Sequence, residues 1–257
     1  MSAARGVTLN ASYSNLKPAS SVSPTRQALD AIPWLDAGAA TREALAAQAM
    51  LHRLPAGALA FDQAETPAFA LFLLAGSLKL VGVCGETEAV IEIVRPFDLV
   101  LPAAVVTGQP YLLRARVFEE AQLLLIGAEA FRAALASDNA FCRAALAFVS
   151  SQLRRQVRAT KGFRMRNAEE RVAAYLIGLL SRDEGEEGIA LTLDKGEIAA
   201  HLGMTRETFS RALTGLSAYG LRVEGRRLSI SDVAAFRGRF PSDPFIDGPE
   251  PATSSQL

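Results

Sequence analysis

The sequence has few of the residues on which several classes of protein depend. Its two cysteines, Cys84 and Cys142, are too few for a disulfide framework and lack metal-ligand spacing. The two histidines lie outside any catalytic motif, and there is no glycine-rich phosphate loop, so we expect no enzyme. No long uncharged apolar run and no signal-peptide pattern is present, so we expect no membrane span and a reducing, cytoplasmic setting.

A net charge of zero hides an uneven distribution of charge. Residues 137–182 carry 9 basic and 3 acidic side chains, and residues 193–240 carry 8 and 5. The compensating acids lie in 183–187 and in the tail after Phe240. A basic C-terminal half is the charge pattern expected of a surface that binds phosphates.

The first half of the chain changes its apolar period after a short helical region. Residues 1–26 have little periodicity and are predicted to be a disordered arm, and a helical pattern runs from Gln27 to Met50. Short apolar runs with turn signals between them follow at 59–61, 69–74, 78–83, 89–94, 112–117 and 122–126. Gly57, Gly76 and Gly85 fall where the chain would reverse. Residues 27–136 are therefore predicted to form a small β-barrel or jelly roll.

A long helix is predicted next, with a dimerisation region over 137–166. Its apolar stripe follows steps of four and three residues and comprises Cys142, Leu146, Val149 and Leu153, with Gln156 or Val157 as the next member. A stripe of this length can pair with a second copy of the helix. The alternative is a helix that packs only on its own barrel. A second face, with Phe141, Ala145 and Phe148, could cover the barrel while the stripe meets a partner.

Two short helices separated by Gly203 are predicted from residue 193 onward. Ile198, Ala199 and Leu202 give the first helix an apolar face, and Thr205 is placed to cap the second. A turn with glycine between two short helices is typical of the helix-turn-helix motif.

The second of these helices has a clear inward and outward side. Its inward residues are Phe209, Ala212, Leu213 and Leu216. Its outward residues are Arg206, Glu207, Ser210 and Arg211, with Thr205 and Thr208 at its start. Arginine can read guanine, glutamate can accept from the cytosine amino group, and serine can contact several bases. This pattern predicts that the protein binds double-stranded DNA.

A tight turn at Gly225 between residues 221–224 and 227–230 predicts a β-hairpin after the helix-turn-helix. Such a hairpin is the wing of a winged helix, and Arg226 and Arg227 lie at its tip, where a DNA phosphate would pass. The DNA-binding domain is therefore predicted to span 167–240. The proline- and acid-rich residues 241–257 are predicted to be a flexible tail.

The order of these parts resembles the CRP/FNR superfamily of bacterial transcription regulators, over roughly residues 27 to 236. The N-terminal segments AIPWL, LPAGALAF, FALFLLAGSLKL and IEIVRPFDLV are similar in pattern, and the C-terminal segments GEIAAHLGMTRETFSRALTGLSAYGL and VEGRRLSISD are more specific. The resemblance implies an α+β fold with a cyclic-nucleotide-binding-like β-roll (cupin-like), a dimerisation helix and a winged helix-turn-helix. It also implies a homodimer on palindromic DNA, with RNA polymerase as a further partner.

The resemblance also suggests how the second helix reads DNA. Glu207, Ser210 and Arg211 match the E-x-x-S-R arrangement of the FNR branch, which reads TTGAT-type half-sites. The cAMP-receptor branch has glycine where Ser210 stands, so Ser210 favours an FNR-like half-site. Arg211 would then contact guanine.

The sensory half departs from the patterns of the superfamily. Its cyclic-nucleotide binders carry a Gly-Glu and an Arg-Ser pair where this chain has Leu101-Pro102 and Leu112-Leu113, which argues against cyclic AMP or GMP. The orientation of the nearby Arg114 is left open. Two cysteines cannot hold the four-cysteine iron–sulfur cluster of the FNR type.

Other effectors stay open at this point. His52 is the residue of the β-roll that could ligate haem, although a lone histidine at the start of a strand is more often structural. Cys84 could be a redox thiol or an ordinary loop cysteine. The cofactor is therefore unknown. The alternative to a signal-sensing regulator is an effector-independent regulator that is controlled by its abundance or by a protein partner.

Overall fold

The computed structural model describes residues 23–180, 189–191, 195–225 and 227–248. The N-terminal part contains, in chain order, α1 (Pro24–Asp30), α2 (Ala39–Ala47), β1 (Ala49–Leu54), β2 (Leu59–Phe61), β3 (Phe69–Cys84), β4 (Thr87–Val94), β5 (Leu99–Val100), α3 (Pro102–Thr107), β6 (Arg114–Gly127) and α4 (Ala128–Ser137). None of the helices in these described ranges combines the length and apolar character needed to cross a membrane.

The β-strands of this part form one antiparallel sheet in the order β1-β6-β3-β4, with β2 also paired to β6 and β5 to β3. The two longest strands, β3 and β6, form its centre. Because side chains alternate along a strand, Phe72 and Leu124 face the core that the helices cover, whereas Leu73 and Leu123 face the interior of the roll. The predicted β-roll is confirmed.

Two pairs of predicted strands in the roll are single strands in the structure. The runs 69–74 and 78–83 are one strand, β3, and the runs 112–117 and 122–126 both lie in β6 apart from the first two residues. Gly76 does not reverse the chain: its φ of +80° produces an irregularity within β3, where a Cβ atom would lie 2.0 Å from the carbonyl oxygen of Glu120. Gly57 and Gly85 do lie in turns, as predicted.

The N-terminal helices begin and end earlier than the pattern predicted. Helix α1 starts at Pro24, with the Ser23 hydroxyl accepting a hydrogen bond from the amide of Arg26. The last part of the predicted arm, 24–26, is therefore helical, and residues 1–22 lie outside the described residues. Helix α2 ends at Ala47, so Met50 belongs to β1 rather than to a helix.

A single long helix, α5 (Asn139–Met165), follows the roll. The carboxylate of Asp138 caps it by accepting from the amides of Ala140 and Phe141. The Asp138 carboxylate also accepts a hydrogen bond from the Thr41 hydroxyl. That bond has the largest effect on its pKa, and together with the amide bonds it lowers the pKa of Asp138 to about 2. Phe141, Ala145 and Phe148 are buried, so the prediction that a second apolar face of the helix covers the roll is confirmed.

The C-terminal part is a compact helical unit with a small sheet. It contains α6 (Ala168–Leu180), β7 (Ile189–Ala190), α7 (Lys195–His201), α8 (Arg206–Leu216), β8 (Leu221–Glu224), β9 (Arg227–Ile230) and α9 (Val233–Arg239). The sheet order is β7-β9-β8. Its core is apolar and includes Val172, Leu176, Ile198, Phe209, Leu213, Leu228, Phe236 and Phe240.

Arg166 and Asn167 join α5 to this unit. The Asn167 side chain accepts from the amide of Glu170, and the Glu170 carboxylate accepts from the amide of Asn167, which is a capping box at the start of α6. The acidic break at 183–187 lies outside the described residues. Residues 241–248, predicted to be part of a flexible tail, instead fold back onto α5, whereas 249–257 lie outside the described residues.

Candidate nucleic-acid interface

The turn between α7 and α8 has the geometry of a helix-turn-helix. Gly203 has a φ of +62°, and the amide of Met204 donates to the carbonyl of Ala199 at 2.9 Å. A Cβ atom on Gly203 would lie 3.1 Å from the ring of Phe163, near the end of α5. Glycine therefore permits both the left-handed backbone and the close packing of α5 against the turn.

Helix α8 begins as the sequence predicted. The Thr205 hydroxyl accepts from the amide of Thr208 at 3.2 Å, which satisfies one of the free amides at the start of the helix. Four side chains on the inward face are buried: Phe209, Ala212, Leu213 and Leu216. This cap and this buried face fix which side of α8 points outward.

The outward face of α8 carries the four residues that the sequence predicted, and all of them are exposed: Arg206, Glu207, Ser210 and Arg211. The guanidinium of Arg211 donates to the Thr208 hydroxyl at 3.3 Å. Hydrogen bonds from its own amide and from the Thr205 hydroxyl, together with the nearby arginines, hold the pKa of Glu207 below its ordinary value. Glu207 is therefore an ionised acceptor at neutral pH.

The wing lies beside this face. Strands β8 and β9 pair in register, with Glu224 opposite Arg227, and Arg227 is exposed. Arg226, the other predicted residue of the wing tip, lies outside the described residues. An open groove of about 700 Å³ between α8 and β8 is lined by Lys195, Ser210 and Arg222 among others.

Two cations of this groove were missed by the sequence reasoning. Lys195 is at the first position of α7, and Arg222 lies in β8 opposite Ser229. Both line the same groove as Ser210. The sequence signal that could have found Arg222 is the alternation of apolar and charged residues in β8, which places Arg222 on the side opposite Leu221. In the structure Leu221 is buried and Arg222 is exposed.

The apolar stripe of α5 is uncovered in the single chain. Leu146 and Leu153 are each 64% exposed and Val157 is 53% exposed, while Cys142 is exposed and Val149 is half-buried. The stripe continues through Val157 rather than through Gln156. The Gln156 amide donates to Glu92 of the same chain at 2.8 Å, because that position has turned toward the roll.

The roll contacts α5 through polar groups as well as apolar ones. Gln152 donates to the carbonyl of Leu99, and the Arg155 guanidinium lies 3.8 Å from Glu92 and 3.7 Å from Asp98. Burial raises the pKa of both carboxyl groups, and the charge of Arg155 opposes that rise. A conformational change in the roll near β4 and β5 would therefore alter contacts that α5 makes directly.

The C-terminal unit from α6 to α9, which we call the winged unit, also contacts the roll. Lys79 of β3 forms an ion pair with Glu197 of α7 and lies over the ring of Phe118 at 3.7 Å.

His201 packs edge-on to Tyr175, with ring centroids 6.4 Å apart. Burial, with a smaller effect of a nearby arginine, lowers the pKa of His201, so that its ring is neutral at neutral pH.

Comparison with known proteins identifies this unit. Residues 170–239 match the family described as the Crp-like helix-turn-helix domain. Over this range the chain is therefore similar to the helix-turn-helix domain of Crp-like regulators. An anaerobic regulatory protein from Pasteurella multocida (strain Pm70) is 41% identical over 75 residues. That segment covers 27% of this chain and only 27% of the length of that relative.

Solved structures of CRP/FNR proteins share the fold over most of the chain. A candidate regulator of this family from Eubacterium rectale has a TM-score of 0.66 and 17% identity, covering 81% of this chain and 97% of that one. A CRP family transcriptional regulator from Thermus thermophilus has a TM-score of 0.59 and 22% identity, covering 74% of this chain and 97% of that one. At these identities the likeness establishes the fold.

The structure also places the segment that the sequence analysis compared with cyclic-nucleotide binders. Leu101 precedes Pro102 at the start of α3, and Leu112 is 83% exposed. The orientation of Arg114, which the sequence left open, is toward carboxylates: it donates two hydrogen bonds to Asp62, at 2.8 and 3.0 Å, and one to Glu88.

The two residues considered for other effectors lie on different parts of the sheet. His52 is in the edge strand β1, opposite Leu123, and is half-buried. Cys84 is exposed at the end of β3, beside the turn at Gly85. No group of three or more potential metal ligands occurs among the described residues.

Proposed function

We propose that this chain is a sequence-specific DNA-binding transcription regulator that acts as a homodimer on a palindromic operator with TTGAT-type half-sites. The observation that carries the proposal is the outward face of α8. Its exposed Arg206, Glu207, Ser210 and Arg211 stand between a capped helix start and a wing that carries Arg227. These are side chains of the kinds that distinguish base pairs in the major groove.

The proposed contacts follow from the chemistry of the side chains. Arg211 donates to the O6 and N7 atoms of guanine, and its contact with Thr208 keeps the guanidinium on the outward face. Ionised Glu207 accepts from a cytosine amino group. Arg206 contacts a base or a phosphate. Lys195, Arg222, Arg226 and Arg227 are proposed to bind the backbone, which sets register rather than sequence preference.

The proposed dimer forms through α5. Its uncovered stripe of Leu146, Leu153 and Val157 supports pairing with a second copy, because the same helix already buries its other apolar face on the roll. Two α8 helices related by a two-fold axis would enter successive major grooves, about 34 Å apart along the DNA.

The signal is proposed to act through the roll and its contacts with α5, and to be something other than a cyclic nucleotide. The pairing of Arg114 with Asp62 supports this, since a phosphate would have to displace a bidentate ion pair. The same observation favours a second candidate, an effector-independent regulator that is controlled by abundance or by a protein partner. For either form we propose a cytoplasmic location, RNA polymerase as a partner and no enzymatic activity.

Selection of bound DNA from a random pool tests this function. At a stated salt concentration, we expect the full-length protein to enrich inverted repeats of a TTGAT-type half-site. A parallel selection with the protein-free small-molecule fraction of cell extract distinguishes the two candidates: stronger enrichment with this fraction supports a signal-dependent regulator, and equal enrichment supports the effector-independent one. If the protein enriches no sequence under either condition, the proposed function is wrong.

A further inference from the structure

The residues that follow the winged unit form a short folded segment rather than a loose end. Between Asp243 and Asp247 the chain makes a tight turn, in which the amides of Ile246 and Asp247 both donate to the carbonyl of Asp243. The Asp243 carboxylate accepts from the amide of Phe245, and the Asp247 carboxylate accepts from the amide of Asp243. These four bonds give the segment a defined shape. We call residues 241–248 the strap.

The strap lies along the last turns of α5 and pairs with the basic side chains there. Arg166 donates to both oxygens of Asp247, at 2.7 and 2.5 Å. Two turns earlier, Arg158 donates to the carbonyl of Gly248 at 2.9 Å. Lys161, between them, lies 3.9 Å from Asp243. The strap therefore spans about 12 Å of the helix, at 1.5 Å per residue.

An apolar contact accompanies these ion pairs. Ile246 packs close to Gly162, where a Cβ atom would lie 3.7 Å from the isoleucine side chain. The ring of Phe245 lies under the ammonium group of Lys161, 5.6 Å from the ring centroid. Both contacts fall between Arg158 and Arg166, so the strap is seated along its length rather than at one end.

Arg166, which the strap binds, lies in the connection between α5 and the winged unit. Arg166 is the C-terminal cap of α5 and, with Asn167, forms the whole connection to α6. The strap leaves the winged unit from Phe240, which is 7% exposed in the core of that unit. The strap thus adds a further connection between the winged unit and α5, besides the backbone at 166–167 and the packing of Phe163 against Gly203.

We propose that the strap is an electrostatic clamp on the hinge between α5 and the winged unit, which fixes the angle between them until its ion pairs are released. The Arg166–Asp247 pair is the main contact, because it is bidentate and both side chains are mostly buried, at 14% and 24% exposed. Such pairs are stronger and geometrically more restrictive than single surface ion pairs. The clamp does not depend on the proposed DNA binding.

Hydrogen exchange in the free, full-length protein tests the clamp. In D247N, which keeps the size of the side chain but removes its charge, we expect the amides of residues 158–171 to exchange about tenfold faster or more, because charge-assisted bonds are lost. A chain ending at Phe240 should behave in the same way, and it keeps the core of the winged unit intact.

Matched controls separate the clamp from general destabilisation. A chain ending at Gly248 keeps the whole strap and should exchange like the wild type, and D36N makes the same charge change on an exposed residue of the N-terminal part. D247R should be as fast as D247N, and combining it with R166D should restore slow exchange. Wild-type rates in both D247N and the chain ending at Phe240 would overturn the proposal. Because no DNA is present, this outcome is independent of the proposed function.

Discussion

Arg211→Ala is expected to abolish discrimination at one base pair of each half-site. The Arg211 guanidinium is exposed on the outward face of α8 and is held there by Thr208. A bidentate contact between arginine and guanine accounts for about 1–3 kcal/mol of discrimination. A symmetric dimer loses this contact twice. Affinity for the selected operator should therefore fall by roughly 2–6 kcal/mol, while affinity for random DNA should change far less.

Fluorescence anisotropy at one fixed salt concentration measures both affinities. Arg53→Ala is a suitable control, since it removes an exposed arginine from β1 of the roll without touching the winged unit. If Arg211→Ala weakens binding to operator and random DNA by the same factor, Arg211 contacts the backbone rather than a base.

Leu153→Glu is expected to convert the proposed dimer into monomers. Leu153 lies in the middle of the uncovered stripe, between Leu146 and Val157, and is 64% exposed in the single chain. In a dimer the substitution would bury two unpaired carboxylates near the axis, at a cost of about 3–5 kcal/mol each. The dimer dissociation constant should rise by roughly four orders of magnitude or more, since each 1.4 kcal/mol is a factor of about ten.

Sedimentation velocity across a range of concentrations distinguishes the two states. The neighbouring Arg154→Glu variant also introduces a carboxylate on an exposed position of α5, but outside the stripe, and it should remain dimeric. A dimer of unchanged stability in Leu153→Glu would mean that the interface lies elsewhere on the molecule.

The helix-turn-helix could be predicted from the sequence because short-range interactions determine its structure. The cap at Thr205, the left-handed turn at Gly203 and the inward spacing of Phe209 and Leu213 are all decided within a few residues. The outward face of α8 could therefore be predicted residue by residue. Lys195 was missed because its place beside α8 depends on how α7 packs, which sequence spacing does not give.

The roll was predicted in kind but not in detail. Gly76 has the sequence appearance of a turn residue, yet it continues β3 because its left-handed backbone fits against Glu120 of the neighbouring strand. Arg114 could not be oriented from alternation, since its partner Asp62 is 52 positions away. The choice between Gln156 and Val157 as the end of the stripe could not be made from the heptad spacing, because it depends on which side of α5 packs on the roll.

The strap was the largest error of the sequence reasoning. Proline and acidic residues are typical of disordered tails, and nothing local to 241–248 contradicts that interpretation. The segment is ordered by a partner 81 positions earlier, Arg166, and by its neighbours on α5. Pairing of an acidic end with a basic helix is visible in the charge distribution, but its geometry is not.

The spacing of the two half-sites provides the most direct test of the central claim that two copies of α8 read one operator together. The measurement is the affinity of the full-length protein, at fixed salt, for a selected palindrome and for the same DNA with about five base pairs inserted at its centre. The insertion turns one half-site by about half a helical turn, away from its reader. If two copies of α8 read one operator together, the longer DNA binds no better than a single half-site. Equal affinity for both DNAs would contradict it.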